Sequence, residues 1–419
     1  MKQVDLILKN AAQIVTCANK SQPKRGQDML DAGIIKYASM AIQDGVIVAI
    51  GADDSISAEF TANEIVDATG KAVIPGLVDC HTHTPYAGNR YDEFEMRVRG
   101  QAYMDILNAG GGIMSTVGAT RATSSEQLLS LTEKRLLDMH KSGTTTVEMK
   151  TGYGLSTEAE LMQMQTILAA DASQSMTIVP TFLGAHTRPP EFETTADYIQ
   201  LLITETLPLI HELYTQSLTD TPLFVDIFVE EGVFSVDDMV TYFEAAGKYG
   251  IHCKAHLDQF ENLNGVRIAV EMGATSVDHL EATPPDELDI LAQSNTVGVM
   301  LPTVNFNLGL PVAGNARHLV DSDGILALST DYNPGSSPTI SLPLVMAIAC
   351  RYQKLLPAEA LNACTINAAA ALKLEHRIGS LEAGKQADFV ILNTDDYRSM
   401  IIEFGKNFVS DVYIKGEKL

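Results

Sequence analysis

The chain changes texture twice along its length. About the first seventy residues form short apolar or alternating runs, "VDLILKNAAQIVTC", "GVIVAIG" and "IVDATGKAVIPG", separated by Gly, Asn and Asp. Alternation of this kind predicts strands joined by turns. The last forty or so residues return to that texture in "IGSLEAGKQADFVILN" and "VSDVYIKGEKL". Between the two ends, near-continuous apolar runs alternate with segments of helical period. The runs are "AVIPGLVDC", "TTTVEMKTG", "MTIVPTFLGAH", "LFVDIFVEEG", "IHCKAHLDQ", "TSVDHLEA", "TVGVMLPTV" and "GILALSTDYN". Strands that are apolar on both faces suit a parallel sheet covered on both sides. The intervening helices open on capping-box patterns, Ser124 with Gln127 and Thr157 with Glu160. Eight strands interleaved with helices point to a (β/α)8 barrel rather than a doubly wound sheet, since no G-x-G-x-x-G follows the first run. The predicted organisation is an α/β protein. A TIM-type barrel occupies residues 75–367, and a small β-sandwich domain is built from residues 1–74 and 368–419.

In such a barrel the chemistry sits at the C-terminal ends of the strands. Those ends carry His81 and His83, Tyr153, His186, Glu230 and Glu231, His256, His279 and Asp331; five of the chain's 10 histidines are among them. His81 and His83 share parity, so on an extended strand both side chains point the same way, as two ligands of one metal must. With His256 and Asp331 they offer three nitrogens and a carboxylate oxygen, a set that suits Zn²⁺ or Fe²⁺ with a position open for water. The run ending at Glu230 and Glu231 contains no lysine that could be carbamylated to bridge two metals, which favours a single ion. Lys150 is open to two readings, a substrate contact or an ion pair. The remaining histidines have plainer explanations. His140 lies with Lys141 in the last turn of a helix, where cations complement the dipole. His211, His318 and His376 fall away from the strand ends, and His252 lies deeper on the strand that ends at His256.

Composition narrows the class of ligand. The chain has 419 residues, 46% of them hydrophobic, enough for a large core. Its formal net charge of -24 argues against nucleic acid or an anionic membrane as partner. A small anionic substrate would then need a cation placed locally, which draws attention to Arg90, just beyond the histidine pair. The five cysteines are scattered without a C-x-x-C, as expected of a reducing compartment. There is no apolar stretch of spanning length, and the N-terminal run is too short for a signal peptide. The expected location is the cytoplasm.

The order of these features resembles the amidohydrolase superfamily over essentially the whole chain. Several stretches are similar to the imidazolonepropionase family within it: "HTHTPYAGNR" (81–90), "KTGYGL" (150–155), "FLGAHTRPPE" (182–191), "HLDQ" (256–259), "SVDHL" (276–280) and "STDYNPGSSP" (329–338). The resemblance implies hydrolysis of the cyclic amide of 4-imidazolone-5-propanoate to N-formimidoyl-L-glutamate, in histidine degradation. It implies one zinc or iron ion per subunit on His81, His83, His256 and Asp331, and a homodimer. It further implies substrate contacts from Arg90, Tyr153, His186 and Gln259, with Asn333, Gly335 and Ser336 against substrate or product. Asp331 would move a proton from water to the departing nitrogen, and either His186 or His279 would polarise the carbonyl. Some members carry Glu at the position of Gln259. An amide cannot take a proton from water, so Gln259 is expected to position the ring. The rival is a mononuclear deaminase acting on a purine or related cyclic amidine, against which Arg90 argues. A non-catalytic barrel with a degenerate metal site is a third reading, and the intact ligand set speaks against it.

Overall fold

The computed structural model describes residues 1–101, 110–311 and 314–418. Strands β1 (Lys2–Val15), β2 (Ile34–Gln43), β3 (Val46–Ala52), β4 (Phe60–Asp67) and β5 (Ala72–Pro75) open the chain. The next eight are β6 (Leu77–Asp79), β7 (Thr144–Lys150), β8 (Thr177–Ala185), β9 (Phe224–Val229), β10 (His252–Leu257), β11 (Ser276–His279), β12 (Val297–Met300) and β13 (Leu326–Leu328). They pair in sequence order, each parallel to the next. The first and last meet through a parallel bridge between Thr82 and Tyr332, where the His83 N–H donates to the Tyr332 carbonyl at 2.9 Å. This is a (β/α)8 barrel. All seven residues of β7 and all nine of β8 are buried, the two-faced burial that the unbroken apolar runs anticipated.

Strands β14 (Phe389–Leu392), β15 (Val409–Ile414) and β16 (Glu417–Lys418) join β1–β5 in a second, mixed sheet of eight strands. Here alternation sorts the side chains: Leu6 and Leu8 enter one apolar cluster and Ile7 another. The run "AVIPGLVDC" turns out to hold two strands in two different sheets. Ala72–Pro75 pairs with β1 and β14, and Leu77–Asp79 begins the barrel. The switch falls at Gly76, where an added Cβ would lie 2.1 Å from Thr145 Oγ1. Only glycine lets the strand approach β7 that closely.

Ser124 caps the helix Ser125–Lys141 as expected, its hydroxyl accepting from the Gln127 N–H at 3.3 Å. The cap of the helix Thr157–Ser173 is Ser156, one residue earlier than the pattern suggested. Glu160 makes no capping box there, because it serves the preceding loop instead. Among the described residues no helix is long and apolar enough to cross a membrane.

Candidate active site

The C-terminal ends of β6, β10 and β13 converge on one buried point. His83 Nε2 lies 3.2 Å from Asp331 Oδ1, His81 Nε2 lies 3.4 Å from the same oxygen, and His256 Nε2 is 3.4 Å from His83 Nε2. The remote nitrogens of two of these rings are engaged. His81 Nδ1–H donates to Asp278 Oδ2 at 2.6 Å and His256 Nδ1–H to Asp226 Oδ1 at 3.0 Å. A carboxylate on Nδ1 fixes the tautomer and leaves the lone pair on Nε2. Burial, reinforced by Lys150 and by His256, pushes the His81 imidazole down to about 4, so it is neutral at physiological pH. Burial lowers His256 as well. Burial opposes the charge of Asp331, but the neighbouring His81 and His83 rings outweigh it and hold the carboxyl well below the usual carboxylate range.

This arrangement tests whether a cation fits. His81 Nε2 and Asp331 Oδ1 are buried and have no hydrogen-bond partner. Lone pairs facing an anionic oxygen with no proton between them repel, and a buried acceptor without a donor is costly. A metal ion reconciles all of them at once. Three imidazoles and a carboxylate are its ordinary donors. His81, His83 and Asp331 can each point one donor atom at a common centre.

Beneath this cluster lies a set of charges of which the sequence pattern singled out only Lys150. Lys150 Nζ contacts Asp226 at 2.7 Å and Glu148 at 2.9 Å; Lys254 Nζ contacts Glu148 at 2.8 Å and Asp278 at 3.6 Å. All five side chains are fully buried. Lys150 is therefore an ion-paired lysine of the barrel interior, and the substrate-contact reading lapses. With Asp331 there are four carboxylates against two ammonium groups, an excess of two negative charges that complements a divalent cation. A signal was available: Glu148 and Lys150, like Lys254 and His256, share parity within apolar runs, which places charged groups on the inward face.

Above the cluster opens a cavity of about 430 Å³, lined by His83, Arg90, Tyr153, His186, His256, Gln259, His279, Asp331, Asn333, Gly335 and Ser336; His81 is wholly buried, and Glu230, Glu231 and Lys150 do not line it. Arg90 is steadied by an Nε–H bond to Thr116 Oγ1 at 2.9 Å. The Tyr153 loop is held from behind by Glu160, whose carboxylate accepts from the N–H groups of Gly152, Gly154 and Leu155 at 3.1, 2.9 and 2.7 Å. Burial raises the Tyr153 phenol, which keeps its proton and can donate. His186 Nδ1–H donates to the Gly152 carbonyl at 3.0 Å, and burial together with His83 and His256 holds the ring well below its ordinary pKa. It is a neutral imidazole whose Nε2 can only accept. His279 is the opposite case. Burial disfavours its charge, but Glu281, 3.3 Å from Nδ1, outweighs that and raises it, so this ring can donate. Both His279 and Leu280 have left-handed backbones, φ 86° and 67°, and Asp331 has φ 50°. Such conformations cost about 1–3 kcal/mol each and cluster at functional sites.

The final loop completes the wall. Asn333 accepts from the N–H groups of Gly335 and Ser336, both at 2.8 Å, and donates to Asp331 Oδ2 at 2.9 Å. Its amide thus shapes the loop and aims the Asp331 carboxylate. Gly335 is packed so tightly on Arg90 that a Cβ would lie 2.3 Å from Nη1. Gln259 faces the cavity, while Glu230 accepts from the backbone of Phe260 and Glu261 and anchors the segment that follows it. Arg97, Glu281 and Phe228 were not singled out in the sequence. The first and last also line the cavity. His140, His211, His252, His318 and His376 lie outside it; His318 pairs with Asp289 at 2.8 Å.

Comparison with known proteins gives concordant results. A family model described as "Amidohydrolase family" matches residues 234–419. The imidazolonepropionase of Chloroflexus aggregans is 47% identical, covering 100% of this chain and 99% of its own. That of Herpetosiphon aurantiacus is 46% identical over 99% of this chain and 97% of its own, and that of Geobacillus kaustophilus 43% over the same shares. Among solved structures, a zinc-bound adenosine deaminase from Xanthomonas campestris superposes with TM-score 0.74 at 19% identity, covering 100% of this chain and 93% of that one. The guanine deaminase of E. coli gives 0.72 at 16%, covering 99% of each. At such identities the structural likeness shows the fold alone.

Proposed function

Because the chain belongs to the imidazolonepropionase family of the amidohydrolase superfamily, we propose that its cavity binds 4-imidazolone-5-propanoate with the carboxylate toward Arg90 and the ring over the histidine cluster. The protein is a hydrolase of a cyclic amide C–N bond, and its product is N-formimidoyl-L-glutamate. The observation that carries this reading is the union, in one cavity, of a buried metal-donor set and an arginine with no carboxylate partner among the described residues. A deaminase acting on a neutral base has no use for that arginine.

His81, His83, His256 and Asp331 would hold a single Zn²⁺ or Fe²⁺. When bound, such an ion acidifies water and polarises a carbonyl as a Lewis acid. The protein's own groups do the rest. Arg90 offers a planar fork to the propanoate carboxylate, and the Tyr153 hydroxyl donates to the same end. The Gln259 amide and the His186 Nε2 acceptor orient the ring, the latter by taking a ring N–H. His279 donates to the carbonyl oxygen as negative charge builds there. Asp331 accepts the proton of the attacking water and passes it to the ring nitrogen as the C–N bond breaks. The carbonyl carbon keeps the water oxygen as a carboxylic acid, which ionises and releases the second water proton to solvent; the nitrogen keeps the first.

The test is hydrolysis in ¹⁸O-water. One label should enter the new carboxylate and none the propanoate carboxylate, with no ammonia released. Stoichiometric ammonia from this substrate, or turnover of a purine with none of the imidazolone, would turn the assignment to the deaminase reading.

A further inference from the structure

Arg97 lies in the last turn of the helix Tyr91–Val98, seven residues after Arg90, and both line the cavity. Arg90 is the residue that precedes this helix, and Glu93 and Arg97, four apart on one helical face, line the cavity with it. Arg97 Nη2 donates to the Gly335 carbonyl at 3.2 Å, but its Nε is buried without a partner. Elsewhere Arg99, Arg121, Arg317, Arg377 and Arg398 each sit within ion-pair distance of a carboxylate, while Arg135 and Arg351, which have none, are satisfied by backbone carbonyls outside the cavity. Arg90 and Arg97 have none among the described residues. The acid nearest along the helix is Glu93, and its carboxylate accepts from the Gly112 N–H at 2.7 Å. Burial and the neighbouring Arg90 both disfavour the Arg97 charge, and Glu93 offsets this only in part. In a chain of net charge -24, two unpaired guanidinium groups on one cavity wall call for an anion between them.

We infer that Arg97 is a second carboxylate-recognising residue, which shares the substrate's propanoate with Arg90 and sets the preference for acidic over neutral imidazolones. This rests on the substrate reading given above. A plainer role exists beside it: Arg97 also supports the final loop through Gly335. Asn307 Nδ2 donates to that same carbonyl, likewise at 3.2 Å, and so provides a control for loop support without charge.

The experiment is calorimetric binding of two unreactive analogues, imidazole-4-propanoate and 4-propylimidazole, to the full-length metal-loaded protein. Wild type, Arg97→Gln, Arg97→Lys and Asn307→Ala are compared. Loss of a charge-assisted contact predicts that Arg97→Gln binds the acid roughly 10- to 100-fold more weakly, with the neutral analogue unchanged. Arg97→Lys should recover part of the loss, and Asn307→Ala should leave the acid-to-neutral ratio at the wild-type value. Binding of the acid by Arg97→Gln within about threefold of wild type would overturn the inference. So would equal weakening of both analogues, as loop support alone requires. If the wild type binds the acid selectively but does not hydrolyse the imidazolone, the substrate reading fails, while the Arg97 comparison still decides its own question.

Discussion

The two histidines left open as carbonyl-polarising groups are distinguished by what sits behind each ring. His186 has a carbonyl on Nδ1, which forces the proton there and leaves a bare acceptor toward the cavity. His279 has a carboxylate 3.3 Å from Nδ1, which raises its pKa and favours the protonated, donating ring. No sequence pattern reveals this, because Glu281 reaches His279 only through two consecutive left-handed residues. The convergence of His81, His83, His256 and Asp331 on one point, by contrast, was legible. Parity aligned His81 with His83, and barrel strands deliver their last residues to a shared rim. Two predictions belong to this scale. Asp331→Asn removes the proposed proton carrier, and kcat should fall about 10²- to 10⁴-fold, even in preparations that still contain metal by elemental analysis; near-normal kcat with metal retained would remove Asp331 from proton transfer. Gly335→Ala drives a methyl group into the Arg90 guanidinium, which swings away. KM should rise roughly tenfold or more with kcat little changed, the size of one charge-assisted hydrogen bond; an unchanged KM would mean that Arg90 does not hold the carboxylate.

At the scale of elements, the barrel was readable because two-faced burial leaves unbroken apolar runs. The point at which one such run passes between two sheets was not, since Gly76 matters for what it approaches and that neighbour is remote in sequence. The Thr157–Glu160 capping pattern misled for a similar reason. Three converging backbone donors in the Tyr153 loop outcompete a single N-cap bond for the carboxylate. Glu160→Ala leaves those N–H groups buried and unsatisfied, at about 1–3 kcal/mol each. We expect a loss of at least about 2 kcal/mol in urea unfolding. We also expect a fall in kcat/KM, because Gly152 holds His186 and Tyr153 is the proposed donor to substrate. Wild-type stability together with wild-type kcat/KM would show that the loop does not depend on this anchor.

At the scale of the whole molecule, charge is the organising feature. The barrel interior gathers an excess of negative charge beneath the histidines, and the cavity wall above presents arginines without a carboxylate partner among the described residues. The small domain carries its own buried acid. Asp388 is raised by burial to about 6, although Lys415 N–H and Gln386 donate to it at 2.9 and 2.8 Å. A raised pKa in the folded state means that its contribution is fully present below about pH 4 and is lost as pH rises through 6. The stability of wild type relative to Asp388→Asn should therefore fall by about 3 kcal/mol between roughly pH 3 and pH 7. A difference that is flat with pH would mean the carboxyl is not perturbed. None of this was visible in composition, which records how many charges the chain has and not which of them are buried together.

The most direct test of the account is turnover of freshly prepared 4-imidazolone-5-propanoate by the purified protein, before and after chelation and again after reloading with Zn²⁺ or Fe²⁺. The account predicts N-formimidoyl-L-glutamate formation that chelation abolishes and about one equivalent of metal per chain restores. Undiminished turnover by protein shown to be metal-free, or none by protein shown to be loaded, would contradict it.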